Sequence, residues 1–236
     1  MPSKGGVYIY VGKTQSGKTT RALEDARADI REDGRPALIL DLGPAINFRG
    51  TRHERDRFAV LHRLYGECKH AVYTPTDADD FDSLLDGVSA VGNCHVILDE
   101  VRWVANYNRI SPALTKAMRH WAHGRKGPVT YRCTSQRPGD LHRDFYACLT
   151  GELYAFRVDP GLDQDRLVKE CGFDPDVLGN LPRGGFVTFS GEWKETLEPY
   201  ETVDVPETKG EIEEPSITKP PDNNTDSPGV PTTPTV

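Results

Sequence analysis

The sequence predicts an α/β fold with a mostly parallel central sheet flanked by helices over residues 1–200, followed by a disordered tail over residues 201–236. Two observations predict this organisation. Short apolar runs, typical of buried strands, alternate with longer segments in which apolar residues recur at helical spacing; the runs lie at residues 7–11, 37–40, 71–73, 94–98 and 129–134. From about residue 202 the chain is rich in Pro, Thr, Glu and Asp and has almost no apolar residues, so it cannot bury a core.

The first strand leads into a glycine-rich loop with the complete pattern G-x-x-x-x-G-K-[ST]. The loop follows the run 7–11 and precedes a helix-like segment at residues 20–31. Such a loop presents backbone N–H groups to phosphates, its lysine (Lys18) reaches the β- and γ-phosphates, and the hydroxyl of Thr19 binds Mg²⁺. The pattern therefore predicts a site for ATP and Mg²⁺ formed by Gly12, Lys13, Thr14, Gln15, Ser16, Gly17, Lys18, Thr19 and Thr20.

Two adjacent acidic residues, Asp99 and Glu100, follow the run 94–98. A continuous apolar run is typical of a central parallel strand, and such a strand delivers the residues at its carboxyl end to the edge of the sheet where ligands bind. We expect Asp99 to help hold Mg²⁺, as a Walker B aspartate does. We expect Glu100 to act as the general base that polarises the attacking water.

A further strand, at residues 129–134, runs into Ser135, Gln136, Arg137 and Pro138. If this strand lies beside the acidic strand, a polar side chain that leaves its end can reach the γ-phosphate or the lytic water. Gln136 is the candidate for that role.

The other elements are predicted from spacing and turn residues. The helix after the glycine-rich loop should end at Asp33 and Gly34, and the helix after Thr76 should begin at Asp77 or Asp79. Residues 181–185 should form a turn before a closing strand at 186–189. The apolar faces of three helices are predicted to comprise Ala22, Leu23, Ala26 and Ile30; Phe81, Leu84, Leu85 and Val88; and Leu114, Ala117, Met118 and Trp121, the last of these helices ending at His123 and Gly124.

Two segments are rich in basic residues. Residues 48–70 could form a helix with one basic face, or an ordinary surface helix whose cations pair with Glu54, Asp56 and Glu67. Residues 116–143 hold one acidic residue, Asp140, and seven cations, which suits recognition of phosphates, either those of ATP across a subunit boundary or those of a DNA backbone. The seven are Lys116, Arg119, Arg125, Lys126, Arg132, Arg137 and Arg143.

Composition limits the class of protein. Residues 195–236 carry a net charge of −8, so the preceding 194 residues carry +1 of the total of −7, and the overall acidity does not argue against a nucleic-acid partner. The five cysteines lack a C-x-x-C pair, which argues against a zinc ribbon, and we expect buried free thiols. No apolar run approaches the length of a membrane span and the N-terminus lacks a signal-peptide pattern, so we expect a soluble, non-secreted protein without an integral membrane segment.

The order of these motifs resembles the RecA-like P-loop ATPases of the additional-strand catalytic-glutamate type. More narrowly, Gly124-Arg125-Lys126-Gly127, a strand, and then Thr134-Ser135-Gln136-Arg137-Pro138 resemble the FtsK–HerA superfamily of DNA-pumping ATPases. The strand that ends at Asp41 and the segment 181–184 also look like that family. Among its members, a small motor with no membrane anchor is similar to the genome-packaging ATPases of tailless, membrane-containing viruses. The chain departs from the usual Thr-Gln by having Ser135 between Thr134 and Gln136.

The resemblance implies a homo-oligomeric ring, a hexamer in the family, with ATP between subunits and double-stranded DNA in the pore. It implies hydrolysis by Lys18, Glu100 and Gln136 together with an arginine that reaches the neighbouring subunit's γ-phosphate; Arg125 fits that role best and Arg119 second. The resemblance also implies capsid or membrane-vertex proteins as further partners. It implies that the protein is located in the host cytoplasm or in the virion.

Three alternatives remain open at the level of sequence. The first is an assembly ATPase of the zonula-occludens-toxin-like kind found in filamentous phages, which has a similar motor but usually a membrane segment. The second is a thymidine-kinase-like P-loop kinase, which usually carries paired cysteines that are absent here. The third is a non-enzymatic, ATP-gated scaffold that works through the acidic tail; the presence of Glu100 counts against it.

Overall fold

The computed structural model describes residues 5–42, 52–54, 56–106, 108–120 and 124–190. The predicted tail at 201–236, and the predicted positions of Trp121 and His123 at the end of a helix, lie outside these residues. The described strands are β1 (Gly6–Val11), β2 (Ala37–Asp41), β3 (Arg52–His53), β4 (Ala71–Tyr73), β5 (Cys94–Asp99), β6 (Ala105–Asn106), β7 (Arg109–Ile110), β8 (Val129–Ser135), β9 (Leu153–Phe156) and β10 (Phe186–Phe189).

The described α-helices match the predicted end at Asp33 and Gly34 and the predicted start at Asp77 or Asp79, but the helix predicted to end at His123 and Gly124 ends at Arg119. They are α1 (Lys18–Asp33), α2 (Arg57–Leu61), α3 (Ala78–Val91), α4 (Pro112–Arg119), α5 (Arg143–Tyr146), α6 (Leu162–Cys171) and α7 (Pro175–Asn180). Gly34 ends α1 in a left-handed conformation with φ 68°, and the Asp77 carboxylate caps α3 by accepting from the N–H of Asp80.

The main sheet has the strand order β10-β9-β1-β8-β5-β2-β4-β3. All of its neighbouring pairs are parallel except β9 and β10, which pair antiparallel. Strand β8 lies between β1 and β5, so the strand that carries the glycine-rich loop is separated from the acidic strand by one further strand. This is the arrangement that the resemblance implied, and the predicted mostly parallel α/β fold is confirmed.

Helices cover both faces of the sheet. Side chains alternate between faces along β1: Ile9 belongs to a large apolar cluster with residues of α3, α4 and α6, whereas Tyr10 packs on the other face with Ala22 of α1. The predicted apolar positions of α3 are all buried. Packing on both faces holds β1, β5 and β8 in one register, and therefore fixes the positions of the loops at their carboxyl ends.

Two predicted features differ from the structure. Cys68 is exposed, whereas the other four cysteines are buried as expected, because Cys68 lies outside any helix or strand, between the π-helical turn His62–Gly66 and β4. The apolar residues Leu162 and Leu167 predict a helix, which is present as α6, but Leu162 is 74% exposed at its first position whereas Leu167 is buried.

Candidate nucleotide site

The glycine-rich loop curls at the carboxyl end of β1, where positive backbone φ angles recur. Gly12 has φ 152°, Gln15 62° and Gly17 102°. A side chain at Gly12 would place its Cβ 2.7 Å from the Cβ of Phe156, so only glycine fits there. The N–H of Gly12 donates to the Ser135 carbonyl at 3.2 Å, which ties the loop to the end of β8. The loop therefore has the curled backbone that a phosphate nest requires.

Two polar side chains of this loop have no bonded partner among the described residues, and one of them, the Ser16 hydroxyl, is fully buried. The Lys18 side chain belongs to a residue only 5% exposed, and among the described residues its ammonium makes no hydrogen bond and no ion pair. Burial lowers the pKa of Lys18, while the nearby Glu100 and Asp99 carboxylates oppose that shift. The Ser16 hydroxyl is likewise buried with no hydrogen-bond partner. Buried polar groups are normally paired, so the Ser16 hydroxyl fits a site that a ligand completes, and the unbonded Lys18 ammonium is available to the same ligand.

A chain of hydroxyls positions Asp99. The Thr19 hydroxyl donates to Asp99 Oδ1 at 3.0 Å, and the Thr134 hydroxyl donates to the same oxygen at 2.7 Å. Thr134 Oγ1 also accepts from the N–H of Glu100 at 3.0 Å. The end of β8 thus fixes both acidic residues at the end of β5.

Glu100 lies at the turn out of β5 with the uncommon left-handed angles φ 58° and ψ 54°. The residue is 7% exposed, and burial raises the pKa of its carboxyl group; the Gln136 N–H and the cations of Lys18 and Arg102 oppose the rise. A strained backbone and a raised pKa at a nearly buried carboxyl group are typical of functional positions.

Gln136 lies at the same edge. Its backbone N–H donates to Glu100 Oε1 at 3.3 Å, and its side-chain Oε1 accepts from the Thr14 hydroxyl at 2.8 Å. Gln136 therefore contacts both the glycine-rich loop and Glu100, and its predicted contact with the γ-phosphate or the lytic water stays a prediction. A cavity of about 440 Å³ opens beside Gln136, and ion pairs of Lys13 with Asp159 (3.0 Å) and of Arg137 with Asp163 (3.1 Å) border it.

The two candidate arginines lie elsewhere. Arg125 is exposed in the turn before β8, and its N–H donates to the carbonyl of Ala90 at 3.2 Å. Arg119 ends α4 and lies beside the Cys148 thiol. Because β8 has seven residues, its two ends are separated by about 20 Å, so Arg125 cannot reach the phosphate site of its own chain.

The residues present fit Mg²⁺ and ATP. Across the described ranges, no group of three or more His, Cys, Asp or Glu side chains could hold a metal ion by itself. Mg²⁺ does not need such a group, since proteins usually hold it through one or two carboxylates together with water and substrate phosphates. Thr19 and Asp99 provide a hydroxyl and a carboxylate oxygen 3.0 Å apart, next to the unpartnered Lys18.

Sequence reasoning assigned no role to three parts of this site. Thr134 was quoted only as part of a motif, and Arg102, whose Nε lies 3.3 Å from Glu100 Oε1, was not considered. The turn after α7 reaches the glycine-rich loop, where the Gly184 N–H donates to the Ser16 carbonyl at 3.1 Å. Knowing that β8 pairs with β5 would have identified Thr134; nothing in the sequence pattern indicated the other two contacts.

The basic segments are less uniform than their sequence suggested. In the described part of residues 48–70, Arg63 pairs with Glu54 (3.5 Å) and Lys69 with Glu67 (3.3 Å), which favours the ordinary surface interpretation. In the second segment, Arg132 is only 3% exposed and pairs with Asp29. Arg132 is therefore not available to an external phosphate.

No helix among the described residues is long and apolar enough to cross a membrane. No family model matches the sequence, and no curated protein matches it.

Solved structures do match the fold. The genome packaging NTPase B204 from Sulfolobus turreted icosahedral virus 2, in complex with sulfate, superposes with a TM-score of 0.64 and 16% identity over 80% of this chain and 92% of that chain. The same NTPase in complex with ATP-gammaS superposes with a TM-score of 0.63 and 16% identity, over 78% of this chain and 92% of that chain. The pCW3 conjugation coupling protein TcpA superposes with a TM-score of 0.54 and 12% identity, over 80% of this chain and 58% of that chain.

At sequence identities of 12–16%, the similarity to these solved structures shows a shared fold and not a shared activity. The chain has the mostly parallel α/β fold of these P-loop NTPases, and the predicted resemblance to the viral genome-packaging members of the group is confirmed at that level.

Proposed function

We propose that this protein is an ATP-hydrolysing DNA translocase that acts as a ring-shaped oligomer, a hexamer by resemblance, and pumps viral double-stranded DNA into a preformed capsid. The observation that carries the proposal is the convergence of a buried, unpartnered Lys18, the Thr19–Asp99 pair and Glu100 at one edge of the sheet. The matched proteins are a genome packaging NTPase and a conjugation coupling protein, and these roles support DNA as the substrate that is moved.

Each residue would then have a separate task. The loop N–H groups and Lys18 bind the phosphates, and Thr19 and Asp99 hold Mg²⁺, which neutralises charge on the phosphates. Glu100 accepts a proton from the attacking water, a role for which its raised pKa suits it. Gln136, held by Thr14 and next to Glu100, orients that water.

The position of Arg125 supports a ring. It lies about 20 Å from the phosphate site of its own chain, so an arginine finger at this position must act on the ATP of a second copy. Head-to-tail contacts of this kind close into rings when the rotation between subunits permits it. Arg119 lies toward the same end of the sheet and is the second candidate.

The direct test is ATP turnover by the purified protein with and without duplex DNA, for the wild type and for Glu100→Gln. We expect DNA to raise turnover, and Glu100→Gln to lower kcat by about 10²- to 10⁴-fold because the general base is lost. Glu24→Gln, an exposed change on α1, is the matched control and should keep wild-type turnover.

Three results would contradict the proposal. Turnover that is indifferent to DNA but stimulated by a nucleoside would favour the kinase alternative. Turnover that survives in Glu100→Gln would remove Glu100 from catalysis. A mixture of Lys18→Ala and Arg125→Ala subunits should recover activity that neither variant has alone, since some interfaces then hold an intact pair; failure to recover would contradict the action of Arg125 between subunits.

A further inference from the structure

The carboxylate of Glu100 is held by a cation that the proposed chemistry does not use. Arg102 Nε lies 3.3 Å from Glu100 Oε1, and the same oxygen accepts from the Gln136 N–H at 3.3 Å. A general base must offer a free lone pair to water. The Gln136 N–H and the Arg102 guanidinium therefore both hold Oε1, which orients the carboxylate toward Arg102 and leaves its other oxygen, Oε2, as the one that can face water.

Arg102 belongs to a surface segment and not to the interior of the site. It lies in the short 3-10 turn Val101–Trp103, and its side chain is 37% exposed, against 9% for that of Glu100. An ion pair with one exposed partner is weak, because water screens it. A competing anion that approaches from solvent can therefore displace it.

The neighbour of Arg102 is an exposed aromatic residue. Trp103 is 63% exposed, one of few large apolar side chains so exposed among the described residues, and the Arg102 guanidinium lies 5.7 Å from the centre of its ring. The hairpin of β6 and β7 follows at once and carries the exposed Arg109. A solvent-facing aromatic ring beside cations is the combination with which proteins contact nucleic acids, the cations binding phosphates and the ring packing against bases or sugars.

We infer that Arg102 is a positioning residue that restrains Glu100 when DNA is absent, and that a DNA phosphate bound at the Arg102–Trp103–Arg109 surface draws the guanidinium away and frees Glu100 for catalysis. The inference rests on the proposed function, because it assumes that Glu100 is the base and that DNA is the partner. It adds the means by which DNA binding and hydrolysis are coupled. Charge complementarity favours a phosphate backbone, since the surface presents two arginines and a tryptophan.

The test is the steady-state kcat and KM for ATP of Arg102→Ala, with and without a short duplex DNA. Without DNA, we expect kcat to rise about two- to fivefold, which is what loss of a half-exposed ion pair corresponds to, with little change in KM. The factor by which DNA stimulates the variant should fall accordingly. A merely structural role would lower kcat or stability instead.

Two further variants make the result specific. Arg102→Lys keeps the positive charge but replaces the guanidinium group with an ammonium group, so it should retain part of the restraint. Its kcat without DNA should therefore lie between those of the wild type and Arg102→Ala. Trp103→Ala should weaken binding of fluorescent duplex DNA and lower the DNA stimulation. Arg31→Ala, an exposed change near the end of α1, is the matched control and should leave both rates unchanged.

The outcomes separate the inference from the proposed function. A DNA-free kcat of Arg102→Ala that is unchanged or lower, in a variant whose thermal unfolding matches the wild type, would overturn the restraint. Wild-type turnover with no DNA stimulation and no DNA binding would overturn the proposed function and the DNA part of the inference together. In that case a raised DNA-free kcat of Arg102→Ala would still establish that Arg102 restrains Glu100.

Discussion

Two cationic residues with low exposure, Lys18 and Arg132, lie near opposite ends of α1 and differ in what they contact. Lys18 at the start of the helix is 5% exposed and has no bonded partner in the described part of the chain. Arg132, under the last turns of the helix, is 3% exposed and pairs with Asp29 of α1, while its Nη1 donates to His95 Nδ1 at 3.3 Å. A buried cation whose partner is in the chain supports the fold, whereas a buried cation without one fits a ligand.

The Arg132 region is an ionic network. His95 is fully buried and lies 3.1 Å from Asp33 through Nε2, and Arg35 donates to Asp33 at 2.8 Å and to the Thr130 hydroxyl at 3.0 Å. Two arginines and two aspartates balance around a neutral histidine. This network joins the end of α1 to β5 and β8, so it holds the helix that also carries the glycine-rich loop.

The largest expected effect is a difference in unfolding free energy between substitutions of the two cations. Arg132→Met should cost about 3 kcal/mol of unfolding free energy, because it leaves Asp29 and His95 without their buried partner. Lys18→Met should leave that free energy nearly unchanged, because removing the partly desolvated charge and removing its attraction to Glu100 and Asp99 oppose each other, and it should abolish ATP turnover. Urea unfolding of both variants measures the difference.

The control for this pair is Arg31→Met, an exposed arginine at the same end of α1, which should change the unfolding free energy by less than about 0.5 kcal/mol. If Lys18→Met destabilised the protein as much as Arg132→Met, the distinction between the two cations would be wrong.

A second prediction concerns the bonded groups of the nucleotide site. Thr134→Val keeps the shape of the side chain but removes the hydroxyl that donates to Asp99 and accepts from the Glu100 N–H. We expect the Mg²⁺ concentration for half-maximal turnover to rise about 10- to 100-fold, as for the loss of a group that orients a metal ligand. Thr134→Ser keeps the hydroxyl and should behave as the wild type; equal effects of the two changes would contradict the role of the hydroxyl.

The smallest expected effect is the pH dependence of stability that His95 contributes within the ionic network. Burial, and then the nearby Arg35 cation, lower the pKa of His95 from 6.5 to about 4. The unfolded chain therefore binds a proton at a higher pH than the folded chain does, so His95 favours the folded state fully above pH 6.5 and this contribution is lost as the pH falls toward 4. Between pH 7.5 and 5 the loss should be about 2 kcal/mol.

Urea unfolding at these two pH values, in the wild type and in His95→Gln, isolates that contribution, because glutamine does not titrate. The variant should lose about 2 kcal/mol less than the wild type over the same interval. Equal losses would show that His95 does not remain neutral in the folded protein.

The residues of the nucleotide site were largely predictable, because their chemistry depends on local order. A glycine-rich loop, a lysine and a threonine in eight consecutive positions fix a phosphate site wherever a strand precedes and a helix follows. The acidic pair was recognisable for the same reason, since it directly follows a continuous apolar run typical of a central parallel strand. The roles of Lys18, Asp99, Glu100, Arg125 and Gln136 stay predictions until they are measured.

The structure alone decided which distant groups meet. Nothing local indicates that β8 lies between β1 and β5, and that pairing is what places Thr134 on Asp99 and Gln136 on Glu100. Arg132 was interpreted as part of a basic surface because a count of charges cannot distinguish a buried side chain from an exposed one; its alternation along β8 directs it to Asp29. Arg102 gained its contact with Glu100 from the left-handed turn at Glu100.

The sequence by itself determined the α/β class, the glycine-rich loop and the acidic strand end, because periodicity and short-range spacing encode them. Strand order, the pairing of the buried charges and the distance of Arg125 from the phosphates were decided by tertiary structure. Those features depend on contacts between residues 30 to more than 100 positions apart, such as that of Asp29 with Arg132, which hydrophobic packing selects and no local pattern records.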